Sequence, residues 1–340
     1  MKAAIMGAGS WGTTFGQVLC DAGTPSVVCC RRPELAQAIN ERHENPDYLP
    51  GIALTPELRA AADPAYVLRG ADLVIFAVPA QSLRENLRHW AALVPADAQF
   101  VSLIKGIELD TCKRMSEVIA EVLDVPAGRI GVVSGPNLSR EIAQRQYAAT
   151  VVACPDEAAA VRLQRACHTG YFRPYTNTDV TGCELGGAVK NVIALAVGMA
   201  VAMQLGDNTR AMLITRGLAE MARLGTVLGA SPQTFAGLAG LGDLVATCGS
   251  PLSRNRTFGE KVGRGLSVAA ASSMGGQVAE GVKSSEAVLA LARKHGVEMP
   301  ITEVMAAVMH EGLPVAEAAT MLASRSAKPE WYGSSAVTAR

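Results

Sequence analysis

The sequence predicts a doubly wound parallel α/β sheet followed by an all-α helical domain. Short apolar strands alternate with helical segments up to about residue 178. A glycine-rich hexamer directly follows the first of these strands, and the later segments are long, apolar-periodic and rich in alanine, leucine and methionine. We therefore predict a sheet domain over residues 1–178, a helical domain over residues 179–328 and a disordered tail over residues 329–340, where apolar residues are few.

The elements of the sheet domain follow from hydrophobic patterning. Residues 72–78 form a continuous apolar run, which is typical of a parallel strand buried on both faces. Helices are predicted over residues 13–22 and from Pro33 to about residue 42. The other predicted strands are residues 3–6, 26–30, 100–104, 130–134 and 150–153, with a last edge strand at 172–176.

The pattern changes near residues 177–180, where long helical periodicity begins. Helices are predicted over residues 212–228, 284–295 and 301–310. A glycine stands just beyond each predicted end, as a helix stop signal, at Gly229, Gly296 and Gly312.

Composition argues against nucleic acid as a partner and against a metal site or disulfides. Lysine plus arginine and aspartate plus glutamate number 31 each, so the chain has no basic field for nucleic acid. An anionic ligand must therefore be held by a few placed cations and backbone amides. The eight cysteines form no C-x-x-C pair and accompany no histidine cluster, so we expect neither a metal site nor disulfides, and a reducing compartment.

Two segments have some features of targeting signals. The start of the chain has a lysine followed by apolar residues, but it leads into Gly7 without a long apolar core or a small-residue cleavage site. The apolar stretch at residues 192–205 is too short to span a bilayer. We expect a cytoplasmic protein with no membrane span.

Lys190 lies in an otherwise apolar segment, residues 185–199, which has the composition of a buried helix. Desolvation lowers the pKa of a buried lysine and makes it usable as an acid or base near neutral pH. The alternative is a lysine whose ammonium reaches the surface from an amphipathic helix. Asn191 follows it and the flanks show no polar face, which favours the functional interpretation.

Residues 7–12 match the pattern G-x-G-x-x-G, with Gly7, Gly9 and Gly12 as its glycines. The hexamer follows a strand and opens a helix in a βαβ unit, as a Rossmann-type dinucleotide site requires. The glycines permit a tight turn and close backbone approach, and the helix N-terminus offers N–H groups to a pyrophosphate. The alternative is a purely structural turn.

The end of the second predicted strand indicates which dinucleotide binds. Arg31 and Arg32 stand there instead of an acid, and guanidinium groups at this position suit the 2′-phosphate of NADP(H). Solvated surface arginines are the alternative. Lys105 ends the strand near residue 104, at the edge where ligands bind, so it could contact both nicotinamide and substrate. A surface or helix-capping lysine is the alternative there.

Three further groups lie beyond Lys190. Asp243 is a charge in a glycine-rich apolar setting, and residues 275–281 form a glycine-flanked loop that includes Glu280. Residues 253–256 read Ser-Arg-Asn-Arg and begin a predicted helix. Their side chains and the helix-terminal N–H groups could bind a phosphate. An N-capped helix with an exposed basic face is the alternative.

At these residues the sequence closely resembles the bacterial NAD(P)-dependent glycerol-3-phosphate dehydrogenases. The resemblance covers nearly the whole chain. Its motifs are GAGSWGT at the start, the lysine-glycine pair at Lys105, SGP at 134–136, GGAVKN at 186–191, NTRAMLITRGLAEM at 208–221, GLGDL at 240–244, SRNR at 253–256 and GQVAEG at 276–281.

The resemblance implies reversible hydride transfer from NAD(P)H to dihydroxyacetone phosphate, giving sn-glycerol 3-phosphate for phospholipid synthesis. Lys190 would exchange the proton at the C2 oxygen, with Asp243 and Asn191 orienting it and the substrate. The implied catalytic set is Lys190, Lys105, Asp243, Asn191 and Thr247. The implied substrate contacts are Lys105, Gly135, Asn137, Lys190, Asp243, Ser253, Arg254 and Asn255. The implied contacts to NADP(H) or NAD(H) are Gly7, Gly9, Ser10, Trp11, Gly12, Arg31, Arg32, Lys105, Ser139, Arg254, Val278 and Glu280.

The chain departs from the family at two places. The family usually has a small hydroxyl residue where Asn137 stands, and often a glycine- and aspartate-bearing turn where this chain has residues 200–204. We expect a homodimer. Two other functions are alternatives. One is a β-hydroxyacid dehydrogenase, which would prefer a carboxylate substrate, and the other is a noncatalytic NADP(H) sensor. The Ser-Arg-Asn-Arg cluster argues for phosphate, and intact Lys190, Lys105 and Asp243 argue for catalysis.

Overall fold

A computed structural model describes residues 1–274, 279–326 and 329–330 of the chain. Its strands form one eight-stranded sheet in the order β3-β2-β1-β4-β5-β6-β7-β8. They are β1 Ala3–Met6, β2 Ser26–Cys29, β3 Arg59–Ala61, β4 Leu73–Phe76, β5 Gln99–Ser102, β6 Ile130–Ser134, β7 Ala148–Ala153 and β8 Phe172–Asn177.

The predicted fold class is confirmed, with two differences: the edge strand β3 was not predicted, and one pair of strands is antiparallel. Strands β1 to β6 run parallel, whereas β7 is antiparallel to β6 and β8 runs parallel to β7. A parallel crossover needs a long connection, usually a helix packed along the sheet. Residues 135–147 connect β6 to β7 with a single short helix, Ser139–Ala143, so the chain turns back beside β6.

Sixteen α-helices lie in the described part of the chain. They are α1 Ser10–Asp21, α2 Pro33–Gln37, α3 Pro64–Leu68, α4 Leu83–Trp90, α5 Met115–Leu123, α6 Ser139–Ala143, α7 Glu157–Cys167, α8 Val180–Ala202, α9 Asp207–Val227, α10 Pro232–Ala236, α11 Asp243–Gly249, α12 Arg254–Gly263, α13 Val268–Ser273, α14 Glu280–Lys294, α15 Pro300–Ala306 and α16 Val315–Ala323. Single π-helical turns extend α2 and α15, at Ala38–Arg42 and Ala307–Glu311, and a third, Leu238–Gly242, precedes α11.

Side-chain alternation along β1 explains why helices cover both faces of the sheet. Ala3 and Ile5 belong to an apolar cluster that includes side chains of α1, α2 and α7. Ala4 and Met6 belong to a second cluster, which includes side chains of α3, α4 and α5. Because β1 is buried on both sides, the glycine-rich turn that follows it is held at the carboxyl edge of the sheet.

Helix α8 forms the centre of the helical part and is buried along almost its whole length. By length and composition alone it could cross a membrane, but 89% of its most apolar window is buried inside the protein. Close packing by α12 requires glycine: a Cβ on Gly198 would lie 2.1 Å from the Arg256 carbonyl oxygen. The helix therefore serves as the core against which α9, α11, α12, α14 and α15 pack.

The predicted helix stops are confirmed. Helices α9 and α14 end at Val227 and Lys294, and the turn after α15 ends at Glu311. Gly229, Gly296 and Gly312 follow with φ of 83°, 65° and 76°. These left-handed values favour glycine, which has no Cβ to clash with the backbone.

Candidate active site

Lys190 lies inside the protein, 7% exposed, in the middle of α8. Its Nζ donates hydrogen bonds to Asp243 Oδ1 at 2.6 Å and to Thr247 Oγ1 at 2.7 Å. The ammonium does not reach the surface, so the amphipathic-helix alternative is excluded. A buried lysine of this kind is stable only because its charge and its N–H groups are matched.

Asp243 and Thr247 reach Lys190 because they lie one turn apart on the same face of α11. Thr247 Oγ1 also donates to Asp243 Oδ1 at 3.2 Å. The π-helical turn before α11 packs directly on α8 at Gly186, where a Cβ would lie 2.3 Å from the Ala239 carbonyl oxygen. Gly186 therefore allows the approach that brings Asp243 to Lys190.

Lys105 follows β5 and meets the same carboxylate from the sheet side. Its Nζ donates to Asp243 Oδ2 at 2.5 Å and to the Gly135 carbonyl oxygen at 2.9 Å. Burial lowers the pKa of Lys105 to about 8; Asp243 opposes this shift and the charge of Lys190 adds to it. We call Lys190, Lys105, Asp243 and Thr247 the lysine cluster. It contains two lysines and one carboxylate, so it has one positive charge in excess.

Two polar atoms beside the lysine cluster have no hydrogen-bond partner among the described residues. They are Ser134 Oγ and Asn137 Oδ1, both buried. The Asn137 amide group donates to Thr150 Oγ1 at 3.0 Å, which orients its oxygen. A Cβ on Gly187 would lie 3.1 Å from Ser134 Oγ and 3.1 Å from Lys105 Cγ. Buried polar atoms of proteins are nearly always paired, so this pair indicates a ligand or water position.

Two predicted residues, Asn191 and Asn255, bind each other and nearby backbone groups. Asn255 Nδ2 donates to Asn191 Oδ1 at 2.8 Å, and the Gly281 amide donates to Asn255 Oδ1 at 2.8 Å. Asn191 Nδ2 donates to the Gly187 carbonyl oxygen at 3.2 Å. Both side-chain amides therefore join α8, α12 and α14, and Asn255 Nδ2 carries a second N–H besides the one that binds Asn191.

The residues of the Ser-Arg-Asn-Arg segment, 253–256, make different contacts. Ser253 Oγ caps α12 by accepting from the Arg256 amide at 3.3 Å, which leaves its hydroxyl hydrogen to donate elsewhere. Arg256 Nε donates to Glu260 Oε1 at 3.0 Å, away from the lysine cluster. The helix-capping alternative is thus correct for Ser253, and Arg256 is engaged by Glu260 and by the Gly249 carbonyl oxygen.

Arg254 and Glu280 connect the helical part to the sheet. Burial raises the pKa of Glu280, and the positive charge of Arg254 opposes that rise. The Ala80 amide, just after β4, hydrogen bonds to the Glu280 carboxylate. Both side chains therefore lie at the carboxyl edge of the sheet. Val278, expected nearby, lies outside the described residues.

The glycine-rich loop has the shape that a pyrophosphate requires. Gly7 has φ of 127°, and a Cβ on Gly12 would lie 2.1 Å from the Gly7 carbonyl oxygen, so packing alone demands both glycines. A Cβ on Gly9 would meet no atom within 4 Å. The space in front of Gly9 is therefore open to a ligand. No side chain caps α1, and its first turn, which includes Ser10 and Trp11, has no acidic residue.

One residue that sequence reasoning missed fixes this loop. Asn45 is fully buried, and its Nδ2 donates to the Ala8 carbonyl oxygen at 3.0 Å and to Thr13 Oγ1 at 2.8 Å. Nearby, Ser139 begins α6, and its carbonyl oxygen accepts from Thr14 Oγ1 at 3.2 Å. The loop at Asn45 and the start of α6 thus border the glycine-rich turn.

Arg31 and Arg32 are exposed at the carboxyl end of β2, as predicted. Arg32 Nη2 forms an ion pair with Asp47 Oδ2. No ion pair involves Arg31 within the part of the chain that the structure describes. The two arginines are therefore not equivalent, and the carboxylate beside Arg32 was not predicted from the sequence.

Glu184, one and a half turns before Lys190, was also missed. It is 3% exposed and accepts from the Ser116 amide at 2.8 Å and from Arg114 Nη1 at 2.8 Å. It thereby joins α8 to the start of α5. The criterion that selected Lys190, a charge in an apolar helix, also applies to Glu184 and could have found it.

The fold and site define a two-domain dehydrogenase that uses a nicotinamide dinucleotide. Two family models match the chain, described as the NAD-dependent glycerol-3-phosphate dehydrogenase N-terminus over residues 2–160 and C-terminus over residues 179–320. The chain belongs to the family of NAD(P)-dependent glycerol-3-phosphate dehydrogenases. It is therefore an oxidoreductase with NAD(P)H as its cofactor.

Individual relatives agree over nearly their whole length. The chain is 63% identical to glycerol-3-phosphate dehydrogenase (NAD(P)+) of Thermobifida fusca, covering 98% of this chain and 99% of the relative. It is 62% identical to that of Streptomyces griseus, with 97% and 98% covered. The crystal structure of glycerol-3-phosphate dehydrogenase from Coxiella burnetii superposes with a TM-score of 0.91 at 36% identity, covering 95% of this chain and 99% of that one.

Proposed function

We propose that the chain reversibly reduces dihydroxyacetone phosphate to sn-glycerol 3-phosphate, with Lys190 as the general acid and base at the C2 oxygen. The observation that supports this most strongly is the lysine cluster. Asp243 holds Lys190 and Lys105 at 2.6 Å and 2.5 Å, and a single carboxylate balances only one of the two cations. A buried site with excess positive charge suits an anionic substrate and the negative charge that develops on a carbonyl oxygen.

NAD(P)H supplies a hydride when bound. The open space at Gly9 and the uncapped start of α1 fit its pyrophosphate. The described residues proposed to hold it are Gly7, Gly9, Ser10, Trp11, Gly12, Arg31, Arg32, Lys105, Ser139, Arg254 and Glu280.

The chain's own groups then manage the proton. Lys190 donates a proton to the C2 oxygen during reduction and accepts it during oxidation. Asp243 and Thr247 fix the direction of the Lys190 ammonium, and Lys105 adds positive charge beside the oxygen. General acid–base catalysis of this kind contributes about 10²–10⁴-fold.

We assign the substrate phosphate to Arg254 and the Ser253 hydroxyl. Asn255 holds Asn191 and Gly281, and the second N–H of its amide can donate to the phosphate. Gly135 and Asn137 border the lysine cluster, and the unpartnered Asn137 oxygen suits a substrate hydroxyl. Remote phosphate binding positions the reacting carbon, so loss of this contact should lower turnover as well as affinity.

The test is Lys190→Ala, with Lys190→Met as a variant that preserves volume and exposed Lys294→Ala as the control. Turnover is followed as NADPH oxidation with dihydroxyacetone phosphate, and NADPH binding by fluorescence titration. We expect both Lys190 variants to lose at least about a hundredfold in kcat while binding NADPH nearly normally. Retention of more than a tenth of the wild-type kcat would contradict the assignment.

The same assay separates the alternatives. A β-hydroxyacid dehydrogenase would instead oxidise NADPH with 3-oxoacids or reduce NADP+ with 3-hydroxyacids, and a sensor would turn over neither set of substrates. We further propose that residues 1–178 and 179–328 are the two domains, and that the protein is a cytoplasmic homodimer supplying phospholipid synthesis. Sedimentation of the purified protein tests the homodimer, and cell fractionation tests the cytoplasmic location.

A further inference from the structure

We propose that Asp47 sets the balance between NADPH and NADH by competing with the 2′-phosphate of NADPH for Arg32. This inference rests on the proposed role of Arg31 and Arg32 in binding the ribose end of the cofactor. It adds Asp47 as a specificity-determining residue. Asp47 lies outside the glycine-rich motif and outside β2, the strand that precedes the two arginines.

The position of the ion pair supports this role. Arg32 directly precedes α2 and follows β2, where a dinucleotide fold places the adenosine ribose. Its Nη2 is paired with Asp47 Oδ2. The N–H that binds Asp47 cannot donate to a phosphate at the same time, and a carboxylate beside a phosphate repels it, so Asp47 competes with a phosphate for Arg32.

Asp47 is held in place by its neighbours. Asn45, two residues earlier, is fully buried and binds the Ala8 carbonyl oxygen and Thr13 through its amide nitrogen. The Tyr48 amide donates to Asn45 Oδ1 at 3.2 Å. Asn45 is thus tied directly to the glycine-rich turn, and Tyr48, which follows Asp47, is tied to it through Asn45. These hydrogen bonds hold the loop, and with it the Asp47 carboxylate, beside the glycine-rich turn.

The exposure of the pair makes the competition possible. The side chains of Arg32 and Asp47 are 59% and 39% exposed. An exposed ion pair changes an equilibrium by at most about fivefold, so it can be opened at small cost. A phosphate monoester has a charge of about −1.5 to −2 at pH 7 and three acceptor oxygens, and it should displace a carboxylate from arginine.

NADH has a hydroxyl group at the same position. A carboxylate accepts a hydrogen bond from a ribose hydroxyl, which is the usual arrangement in NAD-binding sites. Asp47 can serve that hydroxyl while remaining paired with Arg32. The pair therefore permits both cofactors: the carboxylate favours the hydroxyl, and the guanidinium groups favour the phosphate.

The experiment measures binding of four ligands to Asp47→Asn and wild type by isothermal titration calorimetry. The ligands are NADPH, NADH, adenosine 2′,5′-bisphosphate and adenosine 5′-monophosphate, and the last two differ only in the 2′-phosphate. Asp97→Asn controls for the change in net charge. Asp97 is exposed and precedes β5, so it lies at the amino edge of the sheet, opposite the carboxyl edge where Asp47 is found. Asp47 is exposed, so the variant should fold, and its melting temperature checks this.

We expect Asp47→Asn to bind NADPH and the bisphosphate about threefold to fivefold more tightly, with NADH and the monophosphate unchanged or weakened by up to about twofold. A shift by the same factor for all four ligands, or no shift beyond that of Asp97→Asn, would overturn the inference.

Parallel titration of Arg32→Ala separates this inference from the proposed function. If Arg32→Ala weakens NADPH and NADH equally, the proposed binding role of the arginines has failed. If Arg32→Ala is selective against NADPH and Asp47→Asn is not selective, the inference about Asp47 alone has failed.

Discussion

The lysine cluster and the Arg32–Asp47 pair are both ion pairs at the carboxyl edge of the same sheet, yet their surroundings differ. Asp243 is 1% exposed, and its two oxygens bind Lys190 and Lys105. The Arg32 and Asp47 side chains are 59% and 39% exposed. Charges removed from water depend on their partners, whereas exposed charges can exchange a partner for solvent or a ligand.

This difference assigns different chemistry to the two places. A proton donor must keep a fixed direction, which burial and full hydrogen bonding provide for Lys190. A site that accepts two related cofactors must change partners, which a weak exposed pair allows. Substitutions that test the comparison should therefore have large effects at the lysine cluster and small, ligand-specific effects at Asp47 and Arg32.

Asp243→Asn should have the largest effect. It leaves buried Lys190 and part-buried Lys105 facing one neutral amide, and breaking a buried pair typically costs about 3–5 kcal/mol of the free energy of unfolding. We also expect kcat to fall by at least about a hundredfold, since Lys190 loses its orientation. Urea denaturation and NADPH oxidation measure the two effects, with Asp97→Asn as the control. A loss below about 1 kcal/mol would show that the cluster tolerates an unpaired lysine, contrary to the comparison.

Lys105 should give the next largest effect, as a function of pH. Because its pKa is lowered to about 8, it loses its positive charge above that pH. The KM for dihydroxyacetone phosphate should then rise several-fold, by about threefold to tenfold, between pH 7 and pH 9. In Lys105→Arg this rise should be absent, because arginine stays charged. A KM profile that rises equally in both proteins would assign the effect to another group.

As pH rises above 8, the effect of Lys105 on the free energy of unfolding is opposite to its effect on substrate binding. Lys105 keeps its proton up to about pH 10.5 in the unfolded chain but only to about pH 8 in the folded protein. Between these values the unfolded state binds more protons, so the contribution of Lys105 to the free energy of unfolding rises with pH. Below pH 8 this contribution is absent because both states are protonated. Substrate binding and stability should therefore diverge above pH 8.

The sequence predicted individual residues better than their pairings. Lys190 and Asp243 could be found because a charge in an apolar or glycine-rich segment is costly, and that cost is visible locally. Their contact has no local signal, since they are 53 positions apart and meet only after α11 packs on α8; only the family resemblance implied it. Asp47 lies in a polar loop, where a carboxylate is ordinary, so no local signal marked it.

The same reasoning explains two other outcomes. The reversal at β7 depends on how residues 135–147 fold, and apolar runs do not encode strand direction. The departure at residues 200–204 lies far from Lys190. It spans the last residues of α8 and the turn after them, and ten or more residues of helix place it about 15–20 Å from Lys190 along the axis. The region could therefore vary without altering the lysine cluster.

Arg32→Ala should give the smallest change in overall activity but the most specific one. We expect NADPH to bind about tenfold more weakly, because a charged hydrogen bond is lost and Asp47 is left to repel the 2′-phosphate. NADH should change by less than about twofold, since its hydroxyl can still donate to Asp47. Dissociation constants for both cofactors measure this, and equal losses would remove the 2′-phosphate assignment. Arg32→Ala and Asp47→Asn should thus move the NADPH-to-NADH ratio in opposite directions, whereas two substitutions that merely loosen the loop would move it in the same direction.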